Sequence, residues 1–205
     1  MIAVPARTAA LIFDCDGTLV DTLPLYLRGW LAALQTEAAH EVAPEWFHGR
    51  GGLSEQMVLD LMETELGRPL DRPAILRAAR RNVLAAMTDL REIAVVADLA
   101  RRYRGTLPMA VASSGSREIV LASLTHTGLL DLFDTVVTID DVARAKPAPD
   151  LFLEAARRLG AAPECCLVLE DSAEGLAAAG HAGMRGVDIR PYVRPPDSAP
   201  PVSAP

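Results

Sequence analysis

Ala10-Leu11-Ile12-Phe13-Asp14-Cys15-Asp16-Gly17-Thr18 is the stretch from which the rest of the chain is read. Four apolar residues stop abruptly at two aspartates one residue apart, followed by Gly-Thr. A short apolar run bounded by a turn signal reads as a buried strand. Side chains alternate along a strand, so Asp14 and Asp16 leave the backbone in the same direction and Cys15 points away from both. Two carboxylates at the end of a buried strand repel each other unless a cation or a shared proton offsets them. That cost points to a metal site, placed where an α/β sheet builds its sites, outside the carboxyl ends of its strands. Gly17 lets the chain leave the strand sharply.

Beyond this stretch the pattern turns helical. Asp21 or Thr22 is expected to cap a helix with Pro24 in its first turn and Leu25, Leu27, Trp30, Leu31 and Leu34 as its apolar stripe. A break through Pro44 and Gly49-Arg50-Gly51-Gly52 precedes a helix from Ser54 to about Gly67. Another opens at Asp71-Arg72-Pro73 and runs to about Met87. The chain then alternates: strands are predicted at 108–112, 135–139, 165–169 and 186–189, and helices at 117–125, 150–159 (capped by Asp150) and 173–182. Alternation of this kind predicts an α/β fold, a Rossmann-like doubly wound parallel sheet covered on both faces, with an inserted all-helical cap. The division expected is a core of residues 1–19 and 89–190, a helical cap of residues 20–88 placed as a lid over the first strand's end, and a Pro-, Ser- and Ala-rich disordered tail, 191–205.

Composition narrows the function. A formal charge of −7 argues against nucleic acid or an anionic membrane as partner. Cys15, Cys165 and Cys166 are too few and too apolar in setting for a disulfide framework and read as buried thiols in a reducing compartment. No apolar run is long enough to span a membrane, and the N-terminus lacks a signal-peptide pattern. A soluble, cytoplasmic, monomeric protein is the expectation.

Four polar clusters follow predicted strands or sit in the loops at their ends: Asp14/Asp16, Ser113/Ser114, Lys146 and Glu170/Asp171. In a parallel sheet all strand C-termini lie on one edge, so the four should converge. Carboxylate oxygens suit Mg²⁺, which keeps waters and a substrate phosphate among its ligands. Lysine and serine suit phosphate oxygens. Lys146 is the single lysine among twenty Lys and Arg side chains, which argues for a point-charge role that arginine does not fill. The scattered histidines and adjacent or lone cysteines do not resemble a zinc or iron site.

With these residues in place, the sequence resembles the haloacid dehalogenase superfamily over residues 9 to 190. Asp14-Cys15-Asp16-Gly17-Thr18 matches its first motif, Ser113 after Met109-Ala110-Val111-Ala112 the second, Lys146 in Lys-Pro-Ala-Pro-Asp the third, and Glu170-Asp171 the fourth. The helical insert looks like the small cap of the subgroup that holds β-phosphoglucomutase and the fructose-1-phosphate and 6-phosphogluconate-type phosphatases. The resemblance implies that Asp14 attacks phosphorus and is phosphorylated, and that Asp16 is the acid and then the base. It also implies that Lys146, Ser113 and Ser114 hold the transferring group. Mg²⁺ would be bound by Asp14, the Asp16 carbonyl and Asp171, with Glu170 either a ligand or a supporting neighbour. Ser172 reads as a helix cap beside Asp171. In the cap, Arg50 and Gly51 are candidates for binding a second substrate group, with a surface arginine as the alternative; His48 and Tyr26 are weaker candidates. Tyr26 stands where the mutase carries a histidine, and the cap has no lysine. Both departures favour plain hydrolysis over return of the phosphoryl group to a sugar, and the expected substrate is a small phosphorylated metabolite, a sugar or polyol phosphate. A hexose-phosphate mutase and a non-catalytic phosphometabolite-binding protein are the alternatives.

Overall fold

Alternation along β1 (Ala10–Phe13) sets the layers of the molecule, seen here in a computed structural model that describes residues 2–47, 50 and 52–193. Leu11 and Phe13 face one apolar cluster, while Ala10 and Ile12 face another. All four are fully buried, which is why the strand reads as an unbroken apolar run. Four further strands, β2 (Met109–Ser113), β3 (Thr135–Thr138), β4 (Cys166–Glu170) and β5 (Arg185–Asp188), complete an all-parallel sheet in the order β3-β2-β1-β4-β5. These bounds lie within about a residue or two of those read from the sequence.

The chain carries helices in order: α1 (Leu23–Ala38), α2 (Glu55–Leu66), α3 (Arg72–Ala85), α4 (Ala94–Tyr103), α5 (Arg117–His126), α6 (Asp150–Leu159) and α7 (Ala173–His181). Helices α4 and α5 cover the Leu11/Phe13 face, through Val96, Ala100, Ile119 and Val120. The opposite face is covered by α6 and α7, through Leu151, Phe152, Ala155 and Ala178. The chain moves outward from β1 through β2 to β3, then returns to the other side of β1 for β4 and β5. The order therefore reverses between β1 and β4, and a crevice opens there at the strands' carboxyl ends.

Helices α1 to α3 lie between β1 and β2 in the chain and have their own buried cluster, with Trp30, Ala33 and Leu34 against Leu59, Met62, Ile75 and Ala79. The two chain passages joining them to the sheet run side by side. Asp21 N–H donates to the Arg91 carbonyl at 2.9 Å, and Ile93 N–H to the Leu19 carbonyl at 2.8 Å.

Local expectations held unevenly. Ser54, Asp71 and Ser172 each accept a hydrogen bond from a backbone N–H in the first turn of the helix that follows. Thr22 stands at the N-cap of α1 but makes no capping bond, because its hydroxyl is directed to Asp16. Asp150 is the first residue of α6 rather than its cap; Pro149 holds the cap position and the Asp150 carboxylate pairs with Arg144 instead. Cys15 and Cys166 are buried free thiols as expected, but Cys165 is only half-buried, lying in the turn before β4. No helix among the described residues is long and apolar enough to cross a membrane. His48, Gly49, Gly51 and residues 194–205, most of the expected tail, lie outside the described residues.

Candidate active site

Register brings the first carboxylates together. Phe13 pairs with Leu169 across β1 and β4, and Asp14 N–H donates to the Leu169 carbonyl at 3.0 Å. Asp14 and Glu170 therefore stand side by side on neighbouring strands, on the face lined by Ile12 and Val168. Lys146, 1 % exposed, lies between them: its Nζ donates to Asp14 Oδ1 at 2.5 Å and to Glu170 Oε1 at 2.8 Å. The ring of Phe152 from α6 lies 4.9 Å from the same ammonium.

Asp16 is held from two directions. Thr22 Oγ1, at the foot of α1, donates to its Oδ1 at 2.6 Å, and Ser113 Oγ, at the end of β2, donates to its Oδ2 at 2.9 Å. Ser113 Oγ in turn accepts from Gly115 N–H at 2.9 Å, which fixes the direction of its proton. Asp171 Oδ1 accepts from Thr18 Oγ1 at 3.0 Å. Glu170 Oε2 accepts from both the amide (2.5 Å) and the hydroxyl (2.9 Å) of Ser172, while the Ser172 hydroxyl caps α7 through Gly175 N–H at 3.0 Å.

Two glycines make this packing possible. Gly17 has φ +86°, where an L side chain is strained, and a Cβ there would run into the Asp171 carboxylate. A Cβ on Gly175 would overlap the Glu170 carboxylate.

The electrostatics are out of balance. Asp14, Asp16, Glu170 and Asp171 share the site with a single ammonium. Burial, then the charges of Glu170, Asp171 and Asp16, push Asp14 well above the usual carboxylate range despite Lys146. Burial also raises Asp16, against the hydrogen bonds from Thr22 and Ser113. Asp171 is raised to about 6, by burial first and then by Glu170. For Lys146 burial alone would lower the pKa; Asp14 and Glu170 outweigh it and hold the ammonium charged. Oxygens of Asp14, Glu170 and Asp171 lie within 4.8 Å of one another, an all-oxygen donor set that fits a hard divalent cation. The Asp16 carboxylate is outside that group, its oxygens taken up by Thr22 and Ser113.

Above these residues opens a cavity of about 420 Å³, roofed by α1, α2 and, between them, Phe47, Arg50, Gly52 and Leu53. Asp14, Asp16, Ser113, Ser114, Lys146 and Asp171 all line its floor. The Ser114 hydroxyl is buried there and has no hydrogen-bond partner among the described residues. The structure thus brings together the four polar clusters that the sequence placed near strand ends. Arg50 also reaches the cavity, but its guanidinium lies 4.2 Å over the Trp46 ring, donates to the Trp46 carbonyl and approaches Glu65 at 3.7 Å. Gly51 lies outside the described residues.

The sequence does not single out Thr18 or Glu55 as site residues, and it gives Thr22 and Ser172 only capping roles. Thr18 was visible inside the first motif, and Thr22 follows it closely; both are short hydroxyl residues within reach of the aspartates. Nothing in the sequence marked Glu55 as facing the cavity.

A family model described as haloacid dehalogenase-like hydrolase matches residues 8–183. The fructose-1-phosphate phosphatase of Escherichia coli (strain K12) is 36% identical over 193 residues, 90% of this chain and 97% of that protein. Hexitol phosphatase A of the same organism is 30% identical over 189 residues, 89% of this chain and 83% of that protein. Among solved structures, CbbY from Rhodobacter sphaeroides in complex with phosphate superimposes with a TM-score of 0.77 at 28% identity, covering 87% of this chain and 84% of that one. The β-phosphoglucomutase of Clostridium difficile, at 20% identity, shares the fold, with a TM-score of 0.78 over 88% of this chain and 84% of that one.

Proposed function

The chain belongs to the haloacid dehalogenase-like hydrolase family, and on that premise we propose that it is a Mg²⁺-dependent phosphomonoester hydrolase acting on a small sugar or polyol phosphate. One observation carries the reading. A buried lysine bonded to Asp14 adjoins an all-oxygen group of three carboxylates, and a separately held Asp16 lines the same cavity.

In this reading an Asp14 oxygen attacks phosphorus and forms a P–O bond as the bond to the leaving alkoxide breaks. Asp16, whose pKa is raised by burial, gives that alkoxide its proton. Asp16 then takes a proton from water as the water oxygen attacks phosphorus, the bond to Asp14 breaks, and the free carboxylate returns. Thr22 and Ser113 hold Asp16 in place through both steps. Lys146 counters the charge of one anion approaching another and, with the Ser114 hydroxyl and amide, holds the transferring group; the Ser113 hydroxyl proton is committed to Asp16, which assigns Ser113 to the acid–base group instead. Mg²⁺, when bound by Asp14 and Asp171 with the Asp16 carbonyl as a further donor, neutralises charge on the phosphoryl oxygens. Both Glu170 oxygens already accept hydrogen bonds, so we assign it the fixing of Lys146 beside the ion rather than direct ligation.

The same reading divides the chain into a catalytic core, 1–19 and 89–190, and a selecting cap, 20–88. The test is phosphate release from p-nitrophenyl phosphate and fructose 1-phosphate with and without Mg²⁺. Release is expected only with the ion and is lost in Asp14→Asn; an Asp14→Asn variant of full activity overturns the assignment.

A further inference from the structure

Lys146 is held by more than its two carboxylates. An ammonium carries three N–H donors. Two go to Asp14 Oδ1 and Glu170 Oε1, and the third has no oxygen acceptor among the described residues, which leaves it for the transferring group. Beside these bonds stands the face of the Phe152 ring, its centroid 4.9 Å from Nζ. A ring face this near attracts a cation as a whole, takes up none of its donors, and pulls harder where water is excluded. Water is excluded here, since both Phe152 and Lys146 are buried.

The fold brings the two side chains together. Lys146 lies in the loop before α6, and Phe152 in the first turn of that helix. The loop's backbone is tied at both sides: Arg144 pairs with Asp150 at 2.7 Å, and the Pro147 carbonyl meets His181 Nδ1 from α7 at 2.9 Å. Phe152 packs with Ile12 and Val168, on the sheet face that carries Asp14 and Glu170. The ring does not line the cavity, so any influence it has on a substrate passes through Lys146, which does. The lysine stem is long and rotatable, and a fixed loop alone does not decide where its charged end rests.

We propose that Phe152 is a positioning residue for the reaction: its ring face seats the Lys146 ammonium between Asp14 and Glu170 and keeps it there when Asp14 changes charge. This rests on the hydrolase reading above and adds a residue to it. On that reading Asp14 gives up its own negative charge when one of its oxygens bonds to phosphorus. Its pull on the ammonium then weakens, while that of Glu170 does not. The attraction of the ring is the same in both halves of the reaction, so it opposes drift of the ammonium towards Glu170. A misplacement of about 1 Å at a group facing the reacting atoms is enough to slow a step by about 10²-fold.

Two measurements on the full chain test it. Lys146 is the only lysine, so protein grown on ¹³C-lysine gives a single Cε–H signal. That signal is expected upfield of lysine in solution, shielded by the ring, and is expected to lose the shift in Phe152→Leu. The second measurement replaces Phe152 by phenylalanines bearing one, two and then three ring fluorines, which keep the shape of the ring and drain negative charge from its face. With Mg²⁺ and p-nitrophenyl phosphate, kcat is expected to fall step by step, by about fivefold at three fluorines. A merely space-filling ring gives no such gradation. A wild-type signal at the position of lysine in solution, or a kcat constant within about twofold across the fluorinated series, overturns the proposal and leaves the hydrolase reading intact. A wild type that releases phosphate from neither p-nitrophenyl phosphate nor fructose 1-phosphate overturns both.

Discussion

The two walls of the cavity follow opposite rules. On the sheet edge, the carboxylates of Asp14, Asp16, Glu170 and Asp171 each accept a hydrogen bond from a named donor, and those donors come from β2, the loop before α6, the turn after β1 and the start of α1. On the insert side the lining is mostly apolar, and one buried phenol hydroxyl has no hydrogen-bond partner among the described residues. The first wall is fixed before a ligand arrives and is suited to one chemical step. On the proposed reading the second, which makes few polar contacts of its own, is suited to choosing the ligand. The difference teaches how the proposed hydrolase would divide its work: reactivity at the sheet's carboxyl edge, and selectivity in helices with a core of their own.

Substitutions on the sheet side should therefore stop the reaction, and those on the insert side should shift preference. The largest effect is expected for Asp14→Asn, with kcat lowered by about 10⁴-fold or more for every ester, since the nucleophile itself is gone. A loss that varied from ester to ester would erase the contrast between the walls. Next comes Lys146→Met, which leaves Asp14 and Glu170 buried without their counter-charge. It should lower kcat by about 10²-fold or more, and stability by about 3 kcal/mol in metal-free protein. Thermal unfolding in EDTA checks the second part. Lys146→Arg should not rescue it, because a planar, bulkier guanidinium does not fit a fully buried point-charge site.

Ser113→Ala removes one of two donors to Asp16 and should lower kcat by roughly tenfold with little change in KM, because Thr22 remains. A larger change in KM than in kcat would move Ser113 from the acid–base group to substrate binding.

The fourth prediction concerns pH. The folded pKa of Asp171, at about 6, lies above its ordinary value, so between about pH 4 and 6 the folded metal-free protein holds a proton that the unfolded chain has released. Stability from this group is thus present at low pH and is lost as pH rises through 6. Mg²⁺ competes with the same proton, so its stabilising effect should grow from pH 5 to pH 7. The rise in Tm on adding Mg²⁺, measured at both values, checks this; an equal rise at both would contradict it. The smallest effect is expected for Arg50→Ala, under about threefold in kcat/KM, because its guanidinium is engaged by Trp46 and Glu65 rather than open to the cavity.

Legibility in the sequence followed the same division between walls. Strands β1, β2 and β4 were readable because both of their faces are buried, which writes a continuous apolar run ending in polar residues. Parallel alternation then places those endings on one edge, so the sequence by itself groups Asp14, Ser113, Lys146 and Glu170. The partner of each group was harder to read. Thr22 looks like a helix cap by local rules, yet a buried carboxylate nearby competes for its hydroxyl and wins. Asp150 sits one residue too far into its helix to cap it, and Arg144 takes its charge. In the insert, helical periodicity identifies apolar faces but does not say which stripe packs on a neighbour and which looks into the cavity. Trp30 does both. Tyr26, Glu55 and the turned guanidinium of Arg50 are consequences of how three helices pack on one another, which local pattern does not encode.

The claim on which the rest depends is that Asp14 becomes covalently phosphorylated. Turnover of a readily hydrolysed ester with Mg²⁺, stopped by acid and treated with borohydride, should convert a phosphorylated aspartate to homoserine, detectable at position 14 by peptide mass spectrometry. Homoserine at position 14, absent when substrate is omitted, is the result expected. Steady phosphate release with Asp14 unmodified, or with the label on another carboxylate, would contradict the account.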